Sequence, residues 1–270
     1  MPITKAVIFA AGAGTRMQRD RGAVALSAAQ AAAAAAGHKA LMPVGRPFLD
    51  HVLSTLADAG ITDVCLVVNP AAPDVRDHYR AQSFTRLRLH FAEQERPRGT
   101  ADALWSAWEF IGDDHILTLN GDNHYPASAI RALAAEGRPG LIGFSARALV
   151  QAGNVAADRL GAFALVASDR EGMLTAIQEK PTDAVIAAAG PDALFSMNLW
   201  AFSPAILDAC TRIAPSPRGE LELPDAVRST MSVEHLRYRV LPSHEAVLDL
   251  SNRTDVVAVT ERLATHVVAL

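Results

Sequence analysis

The sequence predicts an α/β fold in three layers, with a mostly parallel central sheet and a smaller β-rich part in its second half. Short, uninterrupted apolar runs alternate with segments whose apolar residues recur at helical spacing. This βαβα rhythm is typical of a parallel sheet covered by helices on both faces. Half of the 270 residues are hydrophobic and a fifth are charged, which supplies enough apolar surface for one large core. We find no linker, repeat or Pro/Gly/Ser tract, so we expect residues 1–270 to form a single domain.

The first half supplies strands and helices in alternation. Residues 6–10 form a continuous apolar run, as a buried parallel strand requires, and residues 47–59 carry apolar side chains at helical spacing before Gly60. By the same criteria, further strands are predicted at 64–68, 87–92, 115–119 and 141–144, and further helices at 74–80, 100–110 and 127–135. An alanine-rich segment, 23–36, should also be helical, because alanine is the best helix former, and Gly37 can close it.

The second half has more strands joined by short turns. Strands are predicted at 163–168, 173–178, 197–202 and 236–241. Helices are predicted at 222–231 and, at the C-terminal end, at 254–268. This change of character predicts a smaller, β-rich part attached to the parallel sheet.

Composition excludes several classes of protein. A net charge of −4 and no basic stripe with aromatic residues argue against a nucleic-acid partner. No run approaches the roughly 20 apolar residues of a membrane span. The apolar N-terminal stretch ends in Gly12, Gly14 and Arg16 rather than in a cleavage region, so we interpret it as a strand and not a signal peptide. Cys65 and Cys210 lie in apolar surroundings and are interpreted as reduced core residues of a cytoplasmic protein.

A glycine-containing turn follows the first strand. Its sequence, residues 10–17, is Ala-Ala-Gly-Ala-Gly-Thr-Arg-Met. Gly12 and Gly14 allow a tight turn and close approach to a ligand, free N–H groups there could cradle phosphates, and Arg16 adds a multidentate cation. The third glycine of a dinucleotide fingerprint is replaced by Met17, and no P-loop Lys-Ser/Thr pair follows. The alternative explanation of this segment is an ordinary glycine-containing strand-to-helix turn.

Three later segments carry polar groups at places where a ligand could bind. Lys39 begins Lys-Ala-Leu-Met-Pro and could supply more positive charge to the glycine turn. Gln94 has a donor and an acceptor that suit a nucleobase edge, Gly99 permits close backbone approach, and Thr100 can cap the next helix. Asp122 follows Gly121 beyond the fourth strand, where the ligand crevice of an open α/β sheet lies and where a carboxylate can hold Mg²⁺ against phosphate oxygens. Each segment also has an ordinary structural explanation as a surface lysine, a loop with an N-cap, or a strand-terminating turn.

Together and in this order, these segments resemble the sugar-1-phosphate nucleotidyltransferases, the pyrophosphorylases that make NDP-sugars. The matching motifs are the glycine turn with Arg, Lys-x-x-x-Pro, Gly-Thr-Ala-x-Ala and Gly-Asp. Downstream matches are Arg159-Leu-Gly161-Ala-Phe163, Glu179-Lys180-Pro181, Met197-Asn198 with Trp200, and Val247-Leu-Asp249-Leu. The resemblance covers residues 3–256 and implies a Rossmann-like three-layer nucleotidyltransferase fold. It also implies an NTP-binding part at about 1–125 and a sugar-phosphate-binding part at about 126–250.

The resemblance implies Mg²⁺-assisted, in-line attack of a sugar 1-phosphate on the α-phosphate of an NTP, which releases pyrophosphate. The implied catalytic residues are Arg16, Lys39 and Asp122, and the implied metal ligands are Asp122 and Asp249. The implied nucleotide-binding residues are Ala10, Ala11, Gly12, Ala13, Gly14, Thr15, Gln94, Gly99 and Thr100. The implied sugar-phosphate-binding residues are Gly161, Glu179, Lys180 and Asn198. The base and the sugar stay open, and the family also allows a homo-oligomer.

The sequence departs from the family pattern in two places. Residues 18–38 intervene between the Arg-Met turn and the lysine, and this insert would lie over the triphosphate site as a lid, a contact surface or a simple extension of the loop. Arg21 within it could add phosphate contacts. Asn123 stands where some relatives carry a second acid, which makes Asp249 more important as a metal ligand. The chain also ends soon after Asp249, so we expect no C-terminal β-helix.

Two other classes compete with this interpretation. A cytidylyltransferase acting on another phosphorylated alcohol or cyclitol phosphate would share the glycine turn and the metal aspartate but would not need Glu179, Lys180 and Asn198. A non-catalytic nucleotide-sugar-sensing subunit would keep the fold and tolerate changes at Arg16, Lys39 or Asp122, all of which retain functional residue types here.

Overall fold

The structure is a computed structural model that describes residues 1–19 and 24–270. Thirteen strands are found in this part of the chain: β1 Lys5–Phe9, β2 Pro43–Val44, β3 Arg46–Pro47, β4 Asp63–Val68, β5 Arg88–Glu93, β6 Ile116–Asn120, β7 Asn123–His124, β8 Gly140–Ser145, β9 Ala164–Ser168, β10 Leu174–Gln178, β11 Leu194–Phe202, β12 Arg239–Ser243 and β13 Leu248–Asp249. The helices of the first half are α1 Thr15–Arg19, α2 Ala28–Ala36, α3 Phe48–Asp58, α4 Asp74–Arg80, α5 Thr100–Ser106, α6 Trp108–Ile111 and α7 Ala127–Glu136. The helices of the second half are α8 Ala146–Gln151, α9 Asp183–Ala189, α10 Ala205–Arg212, α11 Leu223–Val233 and α12 Arg253–Leu263, and a 3-10 helix spans Ala157–Ala162.

The central sheet has a parallel core with antiparallel additions from the second half. Within the described residues it contains nine strands, with a path in the order β10-β9-β11-β6-β1-β4-β5. Strands β6, β1, β4 and β5 are parallel, whereas β11 is antiparallel to β6, β8 and β9. Strand β12 pairs in parallel with β8. The C-terminal ends of the four parallel strands therefore open on one edge of the sheet, where ligands bind in folds of this class.

Helices cover both faces of the sheet, as three layers require. Ala6 and Ile8 of β1 contribute to one buried cluster, whose helical members come largely from α3, α7 and α12. Val7 lies between them on the opposite face and contributes to a second cluster built with α5, α10 and α11. Because both faces of β1 are buried, its sequence is a continuous apolar run rather than an alternating one. Cys65 and Cys210 are buried, unbonded members of the second cluster, as the sequence predicts.

Most predicted elements are confirmed within three residues, and four predictions need correction. The C-terminal helix ends at Leu263, not at residue 268, because the last residues dock as an irregular tail: the Ala269 N–H donates to Ser54 Oγ at 3.0 Å. The helix predicted over 100–110 breaks at Ala107 into α5 and α6. The strand predicted over 236–241 runs from Arg239 to Ser243. The alanine-rich helix begins only at Ala28, where Ser27 and Gln30 form a capping box, and ends at Gly37 as predicted.

Candidate active site

Two adjoining cavities open where the parallel strands end. The first, of about 330 Å³, is lined by residues that follow the ends of β1, β4, β5 and β6, including Ala10, Ala11, Gly12, Ala13, Gly14, Asn69, Gln94, Gly99 and Thr100. The second, of about 300 Å³, is lined by Thr15, Arg16, Asn123, Ala162, Phe163, Asp249 and Ser251. Both cavities share Gly14, Lys39, Asn120, Asp122 and Asn198. All predicted nucleotide-binding residues and both predicted metal ligands therefore line one continuous cleft.

The glycine turn is shaped by its contact with the insert. Gly14 has φ +60°, and a Cβ there would lie 2.2 Å from the carbonyl oxygen of Gly37. Gln18, in the helix α1 that follows the turn, donates from Nε2 to the carbonyl of Ala36 at 3.2 Å. This bond holds the end of α2 beside α1. Residues 36–38 then line the first cavity, and the described part of the insert thus forms a wall of the cleft. Arg21, a predicted phosphate contact, lies outside the described residues.

Replacement of Gly14 by Ala should destabilise the protein. The added methyl group meets the Gly37 backbone, and the left-handed conformation costs a non-glycine residue about 1–3 kcal/mol. Gly12→Ala is the matched control, because no atom lies within 4 Å of a Cβ placed there. Thermal unfolding without ligand should show a clear loss for Gly14→Ala and little change for Gly12→Ala. Equal melting temperatures for the two variants would contradict this account of the turn.

Lys39 and Asp122 form an ion pair at the boundary of the two cavities. The Lys39 Nζ lies 2.9 Å from Asp122 Oδ2, and both side chains are largely shielded from solvent. The backbone places Asp122 immediately beyond β6, and the Gly121 N–H donates to the carbonyl of Phe9 at the end of β1. Arg16 lines the second cavity and has no carboxylate partner within residues 1–19 and 24–270. The cleft thus presents two cations to any anion bound there.

A short antiparallel pair brings the second predicted metal ligand to the first. Strand β13 pairs with β7 so that Asp249 faces Asn123, and the Leu250 N–H donates to the carbonyl of Asp122 at 2.8 Å. Burial raises the pKa of Asp249, and the nearby Asp122 carboxylate raises it further. Two carboxylates that repel each other in a cleft with phosphate-sized space are a donor set that suits Mg²⁺, which usually takes one or two carboxylates and completes its shell with substrate phosphates and water. Among the described residues, no cluster of three or more His, Cys, Asp or Glu could hold a metal without such ligands.

A chain of amides connects this carboxylate to the far side of the cleft. Asn123 Nδ2 donates to Asp249 Oδ1 at 3.0 Å, and Asn120 Nδ2 donates to Asn123 Oδ1 at 3.1 Å. Asn198 Nδ2 lies 3.4 Å from Asn120 Oδ1 and closes the series. Asn198 sits in an irregular stretch of β11 at φ +61°, a conformation that non-glycine residues adopt mainly where function or packing demands it. Asn123 therefore serves as a donor to the carboxylate and not as a replacement ligand.

At the opposite end of the first cavity, Gln94 presents an acceptor. Its Nε2 donates to the carbonyl of Gly99 at 3.1 Å and to Asp102 Oδ2 at 2.9 Å, which leaves Oε1 to accept from a ligand. Gly99 has φ +113° and packs against the backbone of Leu221, so only glycine fits there. The expectation that Thr100 caps α5 is wrong: its hydroxyl accepts from the Leu223 N–H at 2.9 Å and ties this loop to α11.

The predicted sugar-phosphate residues other than Asn198 are not among the residues that line the two cavities. Glu179 and Lys180 follow β10, and Lys180 has a left-handed backbone at φ +47°. Gly161 lies in the 3-10 helix that precedes β9, and a Cβ there would be 3.2 Å from the carbonyl oxygen of Pro181. Gly161 therefore packs on the Glu-Lys-Pro segment, and the next two residues, Ala162 and Phe163, line the cavity.

One cation close to Glu179 was not predicted from the sequence. Arg218 bonds to Glu222 at 2.5 Å and lies close enough to Glu179 for each to affect the other's ionisation. It belongs to the run Arg-Gly-Glu-Leu-Glu just before α11, and the Leu221 N–H donates to the carbonyl of Arg98 at 2.6 Å. A positive residue followed by a glycine and two negative residues is the sequence signal that could have identified Arg218.

The fold and the cleft together define an α/β protein with two carboxylates and two cations at the sheet edge where ligands bind in folds of this class. The family described as nucleotidyl transferase matches residues 5–265, nearly the whole chain, and the chain belongs to that family. The resemblance predicted from the ordered motifs is therefore confirmed.

Named relatives are similar to the chain in sequence, and a solved structure is similar to it in fold. A glucose-1-phosphate thymidylyltransferase of Streptomyces antibioticus is 32% identical over 227 residues, which is 83% of this chain and 56% of that protein. The UTP–glucose-1-phosphate uridylyltransferase AglF of Haloferax volcanii is 26% identical over 86% of this chain and 87% of its own length. The chain spans about half the length of the Streptomyces relative. A UDP-glucose pyrophosphorylase structure complexed with UDP-glucose superposes with a TM-score of 0.76 at 14% identity, over 97% of this chain and 98% of that one, which confirms the predicted fold.

None of the helices in the described ranges is long and apolar enough to cross a membrane.

Proposed function

We propose that this chain transfers a nucleotidyl group from an NTP to a sugar 1-phosphate and releases pyrophosphate. The observation that carries the proposal is the shared wall of the two cavities, where Lys39 and Asp122 stand between a nucleotide-sized cleft and the space beside Asp249. An α-phosphate held at that wall would face an attacking phosphate from the second cavity. We assign residues 1–125 to the NTP and 126–250 to the sugar phosphate.

The chain's own residues act mainly by positioning and charge neutralisation. Both reactants are anions, so their approach is repulsive unless cations hold them together. The free N–H groups of residues 11–14 bind the triphosphate, Arg16 neutralises the departing pyrophosphate, and Lys39 stabilises charge that develops on the α-phosphate. Asp122 and Asp249 would hold Mg²⁺, which when bound polarises phosphate oxygens and orients the two reactants.

The sugar phosphate is held from the second half of the chain. Lys180 and Arg218 bind its phosphate, while Glu179 and Asn198 accept and donate hydrogen bonds at the sugar hydroxyls. The backbone of Gly161 supports this wall through its contact with Pro181. We propose a hexose such as glucose, since the activities of the named relatives use glucose 1-phosphate.

We propose uracil or thymine as the base. The same relatives carry the names of a thymidylyltransferase and a uridylyltransferase. Both bases present an N3–H, from which Gln94 Oε1 could accept, because the Nε2 of the same amide is already bonded to Gly99 and Asp102.

The reaction is tested by measuring pyrophosphate release with five NTPs crossed against a panel of sugar 1-phosphates, each with and without Mg²⁺. We expect strong, Mg²⁺-dependent release with UTP or dTTP and glucose 1-phosphate. Release that needs an NTP but no sugar phosphate would contradict the proposed acceptor. No release from folded protein with any pair would contradict the proposed reaction.

The use of the sugar phosphate should weaken at mildly acidic pH. Burial raises the pKa of Glu179 above its ordinary 4.5, and the Glu222 carboxylate raises it further. The side chain therefore takes up a proton at a higher pH than an ordinary glutamate as the pH falls, and it then loses an acceptor for a sugar hydroxyl. We expect the KM for sugar 1-phosphate to rise as the pH falls from neutrality toward the ordinary pKa of a glutamate.

Glu179→Gln separates this effect from titration of the substrate phosphate itself. The variant should have a raised KM throughout and a pH dependence set by the substrate alone. Superimposable pH profiles for wild type and Glu179→Gln would remove Glu179 from the sugar site.

A further inference from the structure

Arg159 bridges two aspartates behind the cleft. Its Nη2 bonds to Asp249 Oδ2, and its Nη1 donates to Asp255 Oδ1 at 2.8 Å. The Arg159 side chain is three-quarters shielded from solvent, and both aspartate side chains are almost fully buried. A planar, forked donor is the side chain that can hold two carboxylates at once with fixed geometry.

The far end of this bridge is rigid. Asp255 is the third residue of α12, where it forms a capping box with Asn252. Its Oδ2 accepts from the N–H groups of Ser251 and Asn252 at 2.8 and 2.9 Å. Arg159 is therefore anchored to the start of a helix and is not free to swing into the cleft.

The near end of the bridge leaves Asp249 little freedom. Its Oδ1 accepts from Asn123 Nδ2 at 3.0 Å and from Ser251 Oγ at 3.1 Å. Its backbone N–H and carbonyl are both bonded to the side chain of Asn154, at 2.8 and 2.7 Å. Each Asp249 oxygen thus has a fixed donor, so the direction of the carboxylate toward the second cavity is determined before any ligand arrives.

We propose that Arg159, held by Asp255, is a positioning residue that fixes Asp249 for a divalent cation. The inference rests on the proposed function only in treating Asp249 as a metal ligand. By its charge alone, an arginine beside a metal ligand would repel the cation. Lys39 should act in this way at Asp122, because among the described residues no second carboxylate pairs with it. The anchored Arg159 instead orients the ligand, and loss of such outer partners typically weakens metal binding by 10–100-fold.

Binding of Mn²⁺ alone, followed by electron paramagnetic resonance of the free ion, tests this without any nucleotidyl transfer. Arg159→Lys keeps the charge but cannot bridge both aspartates, and Arg159→Gln removes the charge as well. We expect both variants to bind Mn²⁺ at least about tenfold more weakly than wild type. Arg262→Gln is the matched control, because among the described residues that arginine bonds to the carbonyl of Ala152 and to no carboxylate.

Asp255→Asn provides a second route in case the arginine variants fail to fold. It retains an acceptor for the helix cap and removes the charge that anchors Arg159, so Mn²⁺ binding should weaken while thermal unfolding stays cooperative. Unchanged or tighter Mn²⁺ binding in the folded variants would overturn the inference, as would wild type that binds no Mn²⁺. Pyrophosphate release is not measured in this experiment, so a failure here is distinguishable from a failure of the proposed reaction.

Discussion

Asp122→Asn should reduce the rate of nucleotidyl transfer by about 10²–10³-fold while leaving the fold intact. The amide keeps the shape of the side chain but removes the charge that pairs with Lys39 and that, with Asp249, suits a divalent cation. The repulsion between the two carboxylates disappears at the same time, so the free energy of unfolding should change by less than about 1 kcal/mol. Steady-state kinetics and thermal unfolding of the same preparation measure both effects.

Asp114→Asn is the matched control for this change. Asp114 also pairs with a lysine, Lys5, but it is exposed and lies outside both cavities. Its replacement should leave the rate within about twofold of wild type, because a surface ion pair contributes little. Near-normal turnover of folded Asp122→Asn would remove this residue from the reaction.

Lys39→Met should lower kcat/KM by about 10²-fold. Methionine has a similar length and no charge, so the variant removes the cation at the shared wall of the cavities with little change in packing. Of the two cations that line the second cavity, Arg16 then remains to attract the two anionic reactants. Negative charge that develops on the phosphate in the transition state is therefore less well stabilised. The loss should appear in kcat as well as in KM, because the charge on the α-phosphate grows during the reaction.

Lys5→Met controls for the loss of a lysine–aspartate ion pair elsewhere on the surface. It should keep normal kinetics even if it lowers the melting temperature. A Lys39→Met enzyme with unchanged kcat and a raised KM only for NTP would restrict Lys39 to substrate binding.

The parallel half of the fold could be predicted from local pattern alone. Strands β1, β4 and β6 are buried on both faces, so their apolar runs are visible in the sequence, whereas the edge strand β5 alternates between more and less exposed residues. Elements of the second half were harder to predict because, in a short segment, the spacing of apolar residues repeats too few times to indicate a helix or a strand. Helices α8, α9 and α10, with six to eight residues each, are examples that the pattern did not reveal.

Parts of the site could be predicted where a single segment contains both a strand end and the residue types that bind ligands. The glycine turn, Gln94 and Asp122 follow strand ends, and strand ends of a parallel sheet converge on one edge. The pairing of Arg159 with Asp249 and the amide series from Asn198 through Asn123 to Asp249 depend on residues up to 126 positions apart. No local pattern records such contacts, because they are created by the pairing of β7 with β13 and of β11 with β6.

The most direct test of the central claim is ³¹P nuclear magnetic resonance of one reaction mixture containing the protein, UTP or dTTP, glucose 1-phosphate and Mg²⁺. The account predicts that the glucose 1-phosphate signal disappears in step with the growth of an NDP-sugar diphosphate signal and of free pyrophosphate. Conversion of the NTP to NDP and inorganic phosphate, with glucose 1-phosphate unchanged, would contradict it.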